Sequence, residues 1–122
     1  MKRPYIDEVV IIRDNNTVVI NGIGKPKILR LSREVVSWIS NSYAARRVIE
    51  ELVTHYKFRS RLSHPGAIRS LIILLYARAR GEAPYRVARR VGVAHEQLYR
   101  LERGLKRDGL YDFVINLLSL ES

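Results

Sequence analysis

The sequence predicts an α+β fold, mainly α, on three observations. β-branched runs and turn residues crowd the first thirty or so positions. Apolar residues recur at helical spacing through most of the rest. Gly, Pro, Ser and Asn residues cut that rest into helices of ordinary length. The expected order is an N-terminal β-hairpin or three-stranded meander, then helices, then a C-terminal bundle around two short helices and a tight turn.

Glu8-Val9-Val10-Ile11-Ile12 and Thr17-Val18-Val19-Ile20 read as strands, with Asp14-Asn15-Asn16 as the turn between them. Residues 21–26 break the second strand, and Lys27-Ile28-Leu29-Arg30-Leu31 alternates as a third strand does. Ser32 is placed to cap a helix over about 33–40, with Glu34 in the first turn, where the helix dipole favours an anion. Val35, Val36, Trp38 and Ile39 supply its apolar residues, and Asn41-Ser42 separates it from the next helix. That helix is expected over about 43–58, carried by Val48, Ile49, Leu52 and Val53. Residues 59–66 read as a loop. They divide the chain into a small α+β region, 1–64, suited to dimerisation or partner binding, and a helical region, 65–122. A very apolar helix follows over about 67–80. Its run Leu71–Leu75 reads as a buried helix turn, since a membrane span needs roughly 20 apolar residues. Gly81 ends that helix, and Pro84 suits the first turn of the next, where a proline sacrifices no helical bond. Helices over about 84–91 and 95–103, a polar loop over 105–109 and an apolar helix over about 111–120 complete the reading.

Composition narrows the function classes. A net charge of +10 in 122 residues suits a polyanionic partner. Residues 1–64 carry twelve basic and six acidic side chains and residues 65–122 carry ten and six, so the excess is shared. Residues 78–107 alone hold nine basic and three acidic side chains, a local +6 in a quarter of the chain. With no cysteine, neither a disulfide framework nor a thiolate zinc site is available. Met1-Lys2-Arg3-Pro4-Tyr5 lacks the apolar stretch of a signal peptide, so a cytoplasmic location is expected. Seventeen Arg against five Lys, one Met, no Cys and abundant Ile and Val are compatible with a thermophilic source. No catalytic constellation is legible. His55, His64 and His95 are scattered, and no spacing joins Asp7, Glu8, Asp14 or Glu34 to a lysine as a nuclease would need. Asn21-Gly22-Ile23-Gly24-Lys25 lacks the closing glycine-lysine-serine/threonine of a phosphate loop. Neither an enzyme nor a metal nor a cofactor is expected.

Residues 84–104, PYRVARRVGVAHEQLYRLERG, carry the strongest signal. Ala88 and Gly92 are four apart, and Leu98 and Leu101 follow six and nine past the glycine. Ala88 is small where two helices nearly touch, and Gly92 can take the left-handed conformation that ends the first of them. Val93 packs the turn, Val87 and Val91 fill buried positions, and Leu98 and Leu101 pin the second helix to the core. That leaves His95, Glu96, Tyr99, Arg100 and Arg103 on the exposed side.

These residues resemble the phage repressor/Cro-type helix-turn-helix family, over about residues 66–122. Arg100-Leu101-Glu102-Arg103-Gly104 is the most family-like part. Pro84 and Tyr85 depart from it, standing where family members often carry a long amide that supports base contacts. The resemblance implies double-stranded DNA as partner, with helix 95–103 in the major groove, which admits one α-helix and shows it a distinct edge at each base pair. Arg100 is then the leading base contact, since its planar fork matches the two acceptors of guanine. His95, Glu96 and Tyr99 are the other candidates for base contacts. Each has a plainer role too: an ion pair for Arg100, a cap neighbour for His95, a helix-dipole partner for Glu96. Arg86, Arg90, Arg103, Lys106 and Arg107 are candidates for phosphate contacts, and Arg89 is the first cation that helix geometry is expected to turn away. Glu102 is expected in an internal ion pair and Gly104 as a helix terminator.

One such motif reads few base pairs, so a homodimer is expected, through the last helix or an edge strand. A dimeric, nucleoid-associated transcription regulator is the leading reading. The alternative is an interaction or accessory subunit, antitoxin-like or serving replication, repair or segregation, that binds a protein partner through residues 1–64. Single-strand RNA binding fits less well. The seven tyrosines, at 5, 43, 56, 76, 85, 99 and 111, are dispersed rather than interleaved on one face.

Overall fold

The sheet forms where β-branched side chains alternate. In a computed structural model, which describes residues 8–120, β1 (Val10–Asp14), β2 (Thr17–Ile20) and β3 (Lys27–Arg30) pair antiparallel in the order β1-β2-β3. The readings placed on Asp7, Tyr5 and the residues before it lie outside the described residues. Val10 faces Ile20, and Val18 faces Leu29. These four side chains are buried on the inner face of the sheet. The Asp14 carboxylate closes the hairpin by accepting from the Asn16 amide at 2.8 Å.

Two helices follow almost without a break. α1 (Arg33–Asn41) buries Val35, Val36 and Ile39. Ser32 occupies its N-cap position with extended backbone, yet its hydroxyl makes no capping bond and has no hydrogen-bond partner among the described residues. Ser42 does cap α2 (Tyr43–Thr54), its hydroxyl accepting from the Ala45 amide at 3.0 Å. Arg46 donates back to the carbonyls of Ile39 and Ser40, at 2.8 and 3.0 Å, and so satisfies the open end of α1.

α2 is shorter than its apolar pattern suggests, ending at Thr54 rather than near Phe58. His55 turns extended, and its Nδ1 accepts from the amides of Lys57 and Phe58, both at 3.1 Å. That side chain takes over the donors a continuing helix would use. A 3-10 turn, Phe58–Arg61, follows and swings Phe58 into full burial. The segment expected as loop is thus half structured. The next helix, α3 (Pro65–Arg80), also starts earlier than expected, with Pro65 in its first turn and the His64 imidazole accepting from the Ala67 amide at 3.3 Å.

α3 is the spine. Ten consecutive or nearly consecutive residues between Ala67 and Ala77 are buried, including all of Leu71–Leu75. It packs against β3, α1 and α2 and against α4 (Pro84–Val91), α5 (His95–Arg107) and α6 (Tyr111–Ser119). One hydrophobic core therefore crosses residues 59–66 and runs from Val9 to Leu118. Among the described residues no helix is long and apolar enough to cross a membrane.

Candidate nucleic-acid interface

α4, the turn and α5 are shaped by small and branched residues at their crossing. Val87 and Ala88 are fully buried. Gly92 has φ +79°, the left-handed geometry that closes a helix, and the amides of Gly92 and Val93 both return to the Ala88 carbonyl. Val93 half-buries against the core, as does Val91. Leu98 and Leu101 hold α5 inward, joined by Leu105.

α5 runs one turn further than expected. Residues 105–107, read as loop, are helical, and the helix ends at Asp108 and Gly109. Gly104 is accordingly not a terminator but a buried interior residue. A Cβ at this position would lie 2.8 Å from Cδ and Nε of Arg61, so the missing side chain makes the slot that the Arg61 guanidinium fills. From there Arg61 donates to both oxygens of Asp108, at 3.1 and 3.2 Å. Helix propensity alone would disfavour Gly104 by about 1 kcal/mol; the close approach of Arg61 is the reason it is tolerated.

The exposed face of α5 carries Glu96, Arg100, Arg103 and Arg107 at spacings of four, three and four, which places them on one side of the helix. His95 and Lys106 are also exposed and Tyr99 is half-buried. His95 lies edge-on to Tyr99, 6.1 Å between ring centroids, and 3.7 Å from the Glu96 carboxylate. Arg100 donates to the Gln97 amide oxygen at 3.2 Å, a weak tether that holds no charge. Lys106 sits over the Tyr111 ring, 4.9 Å from its centroid. Ala94 begins the helix with no side-chain cap, leaving the first amides of α5 open.

The arginines divide into two groups. Arg78 forks onto Glu102, at 2.6 and 2.9 Å, and so supplies the ion-pair partner expected for that residue. Arg90, expected at phosphate, instead bonds Glu34 of α1 (2.9 and 3.0 Å) and Glu82 (3.1 and 3.3 Å). Two carboxylates neutralise it and hold it toward α1. Arg89, expected to turn away, is exposed and has no carboxylate partner among the described residues. The same holds for Arg86, Arg100, Arg103, Lys106 and Arg107. The sequence missed the pairings of Arg61 and Arg90 altogether. Asp108 lies 47 residues from Arg61 and Glu34 lies 56 residues from Arg90, and no local spacing signals either pair.

These pairs leave an acid signature. Arg90, then the Tyr76 hydroxyl at 2.7 Å, hold the Glu34 carboxyl below its ordinary value. Arg61 does the same to Asp108. A carboxyl whose pKa is lower in the folded state stabilises fully above the unfolded pKa and loses that contribution as pH falls through the folded value. The thermal midpoint is therefore expected to hold between about pH 7 and pH 5 and to drop below about pH 4. The drop is shallower in Arg61→Ala or Arg90→Ala. A thermal-melt series against pH checks this; variants whose acid limb parallels the wild type would assign the loss to other carboxylates.

Comparison of the chain with protein-family models, with curated proteins and with solved structures finds no match.

Proposed function

We propose that this chain binds double-stranded DNA sequence-specifically, as a homodimeric, non-enzymatic transcription regulator of the cytoplasm, with α4–turn–α5 serving as a helix-turn-helix. What supports the reading is the sorting of charge. Arg61, Arg78, Arg80 and Arg90 are matched to carboxylates, while Arg86 and Arg89 on α4 and Arg100, Arg103, Lys106 and Arg107 on α5 are exposed and have no carboxylate partner among the described residues. In this reading the N-terminal half of α5 enters the major groove and Arg100 reads guanine, with His95, Glu96 and Tyr99 beside it. Arg86, Arg89, Arg103, Lys106 and Arg107 hold phosphates. Phe113 and Leu120 on and after α6 are exposed, and a second copy covering them would set two motifs side by side.

The test is selection from a random-duplex pool at two salt concentrations, followed by sequencing. The expected product is a palindrome with half-sites about one helical turn apart. Arg100→Ala is expected to weaken binding to it by about 1–3 kcal/mol and to relax the choice of base at one position per half-site. Salt-sensitive binding with no enriched sequence would reduce the protein to an architectural DNA binder. Absence of duplex binding would favour the partner-protein reading. One observation favours that second reading on its own account: Ile11, Val19 and Ile28 pair in a row across the outer face of the sheet, and Ile28 is 57% exposed. Because the core is shared, the full chain is the proper bait for such a partner.

A further inference from the structure

We infer that the 3-10 turn after α2 is a second phosphate-binding surface, so that the N-terminal half of the chain grips the same duplex as α5. The inference rests on the reading of α5 proposed above. The turn is fixed at three points. Phe58 is fully buried beneath it. His55 Nδ1 accepts from the Phe58 amide that opens it and from the Lys57 amide just before it. Arg61 locks it to the end of α5, through the bidentate contact with Asp108 and the slot over Gly104. The Asp108 carboxylate is 6% exposed and the Arg61 side chain 29% exposed, so water reaches only part of this joint.

Helix geometry then says where the turn lies. Each residue of an α-helix advances by about 100° round the axis. Gly104 is therefore about 40° from Arg100 and about 60° from Arg107. The turn flanks the cationic face of α5 on its Arg100–Arg107 edge, rather than standing behind the helix.

The chemistry of the turn suits a phosphate backbone. Tyr56, Lys57 and Arg59 are exposed, and each is a type that donates to phosphate oxygens, while the Ser60 hydroxyl donates to the Lys57 carbonyl at 2.9 Å and steadies the turn. Tyr56 is 78% exposed, held out by stacking on the His55 ring with 4.9 Å between centroids. Among the described residues neither Lys57 nor Arg59 has a carboxylate partner. Lys57 is nevertheless close enough to Asp108 to help depress that carboxyl, which agrees with its place beside the end of α5. Asp108 itself is taken up by Arg61. What remains is a pair of exposed cations on the Arg100–Arg107 edge of α5.

The experiment is fluorescence anisotropy of the full chain with a mixed-sequence duplex about three helical turns long, across a sodium chloride series. Lys57→Ala with Arg59→Ala is expected to reduce the slope of log affinity against log salt by about 2 and to leave the thermal midpoint unchanged. Lys57→Arg with Arg59→Lys is expected to keep the wild-type slope, which separates charge from fold. Lys25→Ala with Lys27→Ala removes the same charge near β3 and is expected to change the slope little. The inference is overturned if the turn variant keeps the wild-type slope, or if the β3 variant loses as much. A wild type that binds no duplex at any salt overturns the reading of α5 and this inference together.

Discussion

Replacing Arg78 by methionine is expected to destabilise the fold by about 2–3 kcal/mol, the larger part of it from what is left behind. Glu102 sits on the inward flank of α5 with its carboxylate 7% exposed. Arg78 satisfies both oxygens, at 2.6 and 2.9 Å. Without the fork, the carboxylate must stay buried and unmatched, take up a proton, or pull α5 from α3 to reach water. Each route costs stability. Arg78 is itself 32% exposed, so water reaches part of the site, and the loss should fall at or below the lower end of the range for fully buried pairs. The double variant Arg78→Met/Glu102→Leu is expected within about 1 kcal/mol of the wild type, since an apolar pair of similar volume carries no desolvation cost. Urea titrations of the four proteins give the coupling directly. A single variant as stable as the wild type would mean that Glu102 is solvated in its absence at little cost. The pair also ties α5 to α3, alongside the buried Leu98, Leu101 and Leu105.

Raising salt from 50 to 200 mM is expected to weaken duplex binding by roughly 250- to 1,000-fold through the motif alone. The estimate follows from counting unmatched cations. Arg86, Arg89, Arg103, Lys106 and Arg107 are exposed and without carboxylates among the described residues, and five neutralised phosphates give a slope of about −4 to −5. Arg90 is left out because Glu34 and Glu82 already neutralise it. Lys57 and Arg59 would carry the slope to about −6. Anisotropy titrations at four or more salt concentrations measure it. A slope near zero would count against polyanion binding of any kind, whatever the affinity at one salt. Arg90→Ala supplies the internal check. If Arg90 is spent within the fold, the variant loses stability yet keeps the slope; a slope reduced by about 1 would show that Arg90 leaves Glu34 to meet phosphate.

Much of the fold was legible because it follows from neighbours in sequence. The alternation in Thr17-Val18-Val19-Ile20 puts Val18 and Ile20 on one face of the sheet whatever packs there. Pro84 and Gly92 mark the ends of α4 through their own backbone geometry. The places where reading failed are instructive for the same reason. The apolar spacing of α2 continues to Phe58, so nothing local distinguishes a helix that stops at Thr54; the His55 side chain, turning back to cap the amides ahead of it, decides the matter. Gly104 reads as a helix end because glycine commonly is one. It is interior because Arg61 arrives from another element to occupy the missing side chain's space.

The candidate interface divides along that line. The sequence by itself determined the α+β order, the α4–turn–α5 unit and the residues that pin it, and the basic outward positions of α5, because periodicity and backbone preference are properties of short stretches of chain. Only the tertiary structure decided which cations remain free. Ion pairing depends on which carboxylate lies within about 4 Å, and Arg61–Asp108, Arg78–Glu102 and Arg90–Glu34 join helices and turns that are remote in sequence. Packing around α3 brings them together, so it is packing that ties the exposed Arg90 to two carboxylates, leaves Arg89 without one, and sets Lys57 and Arg59 beside α5.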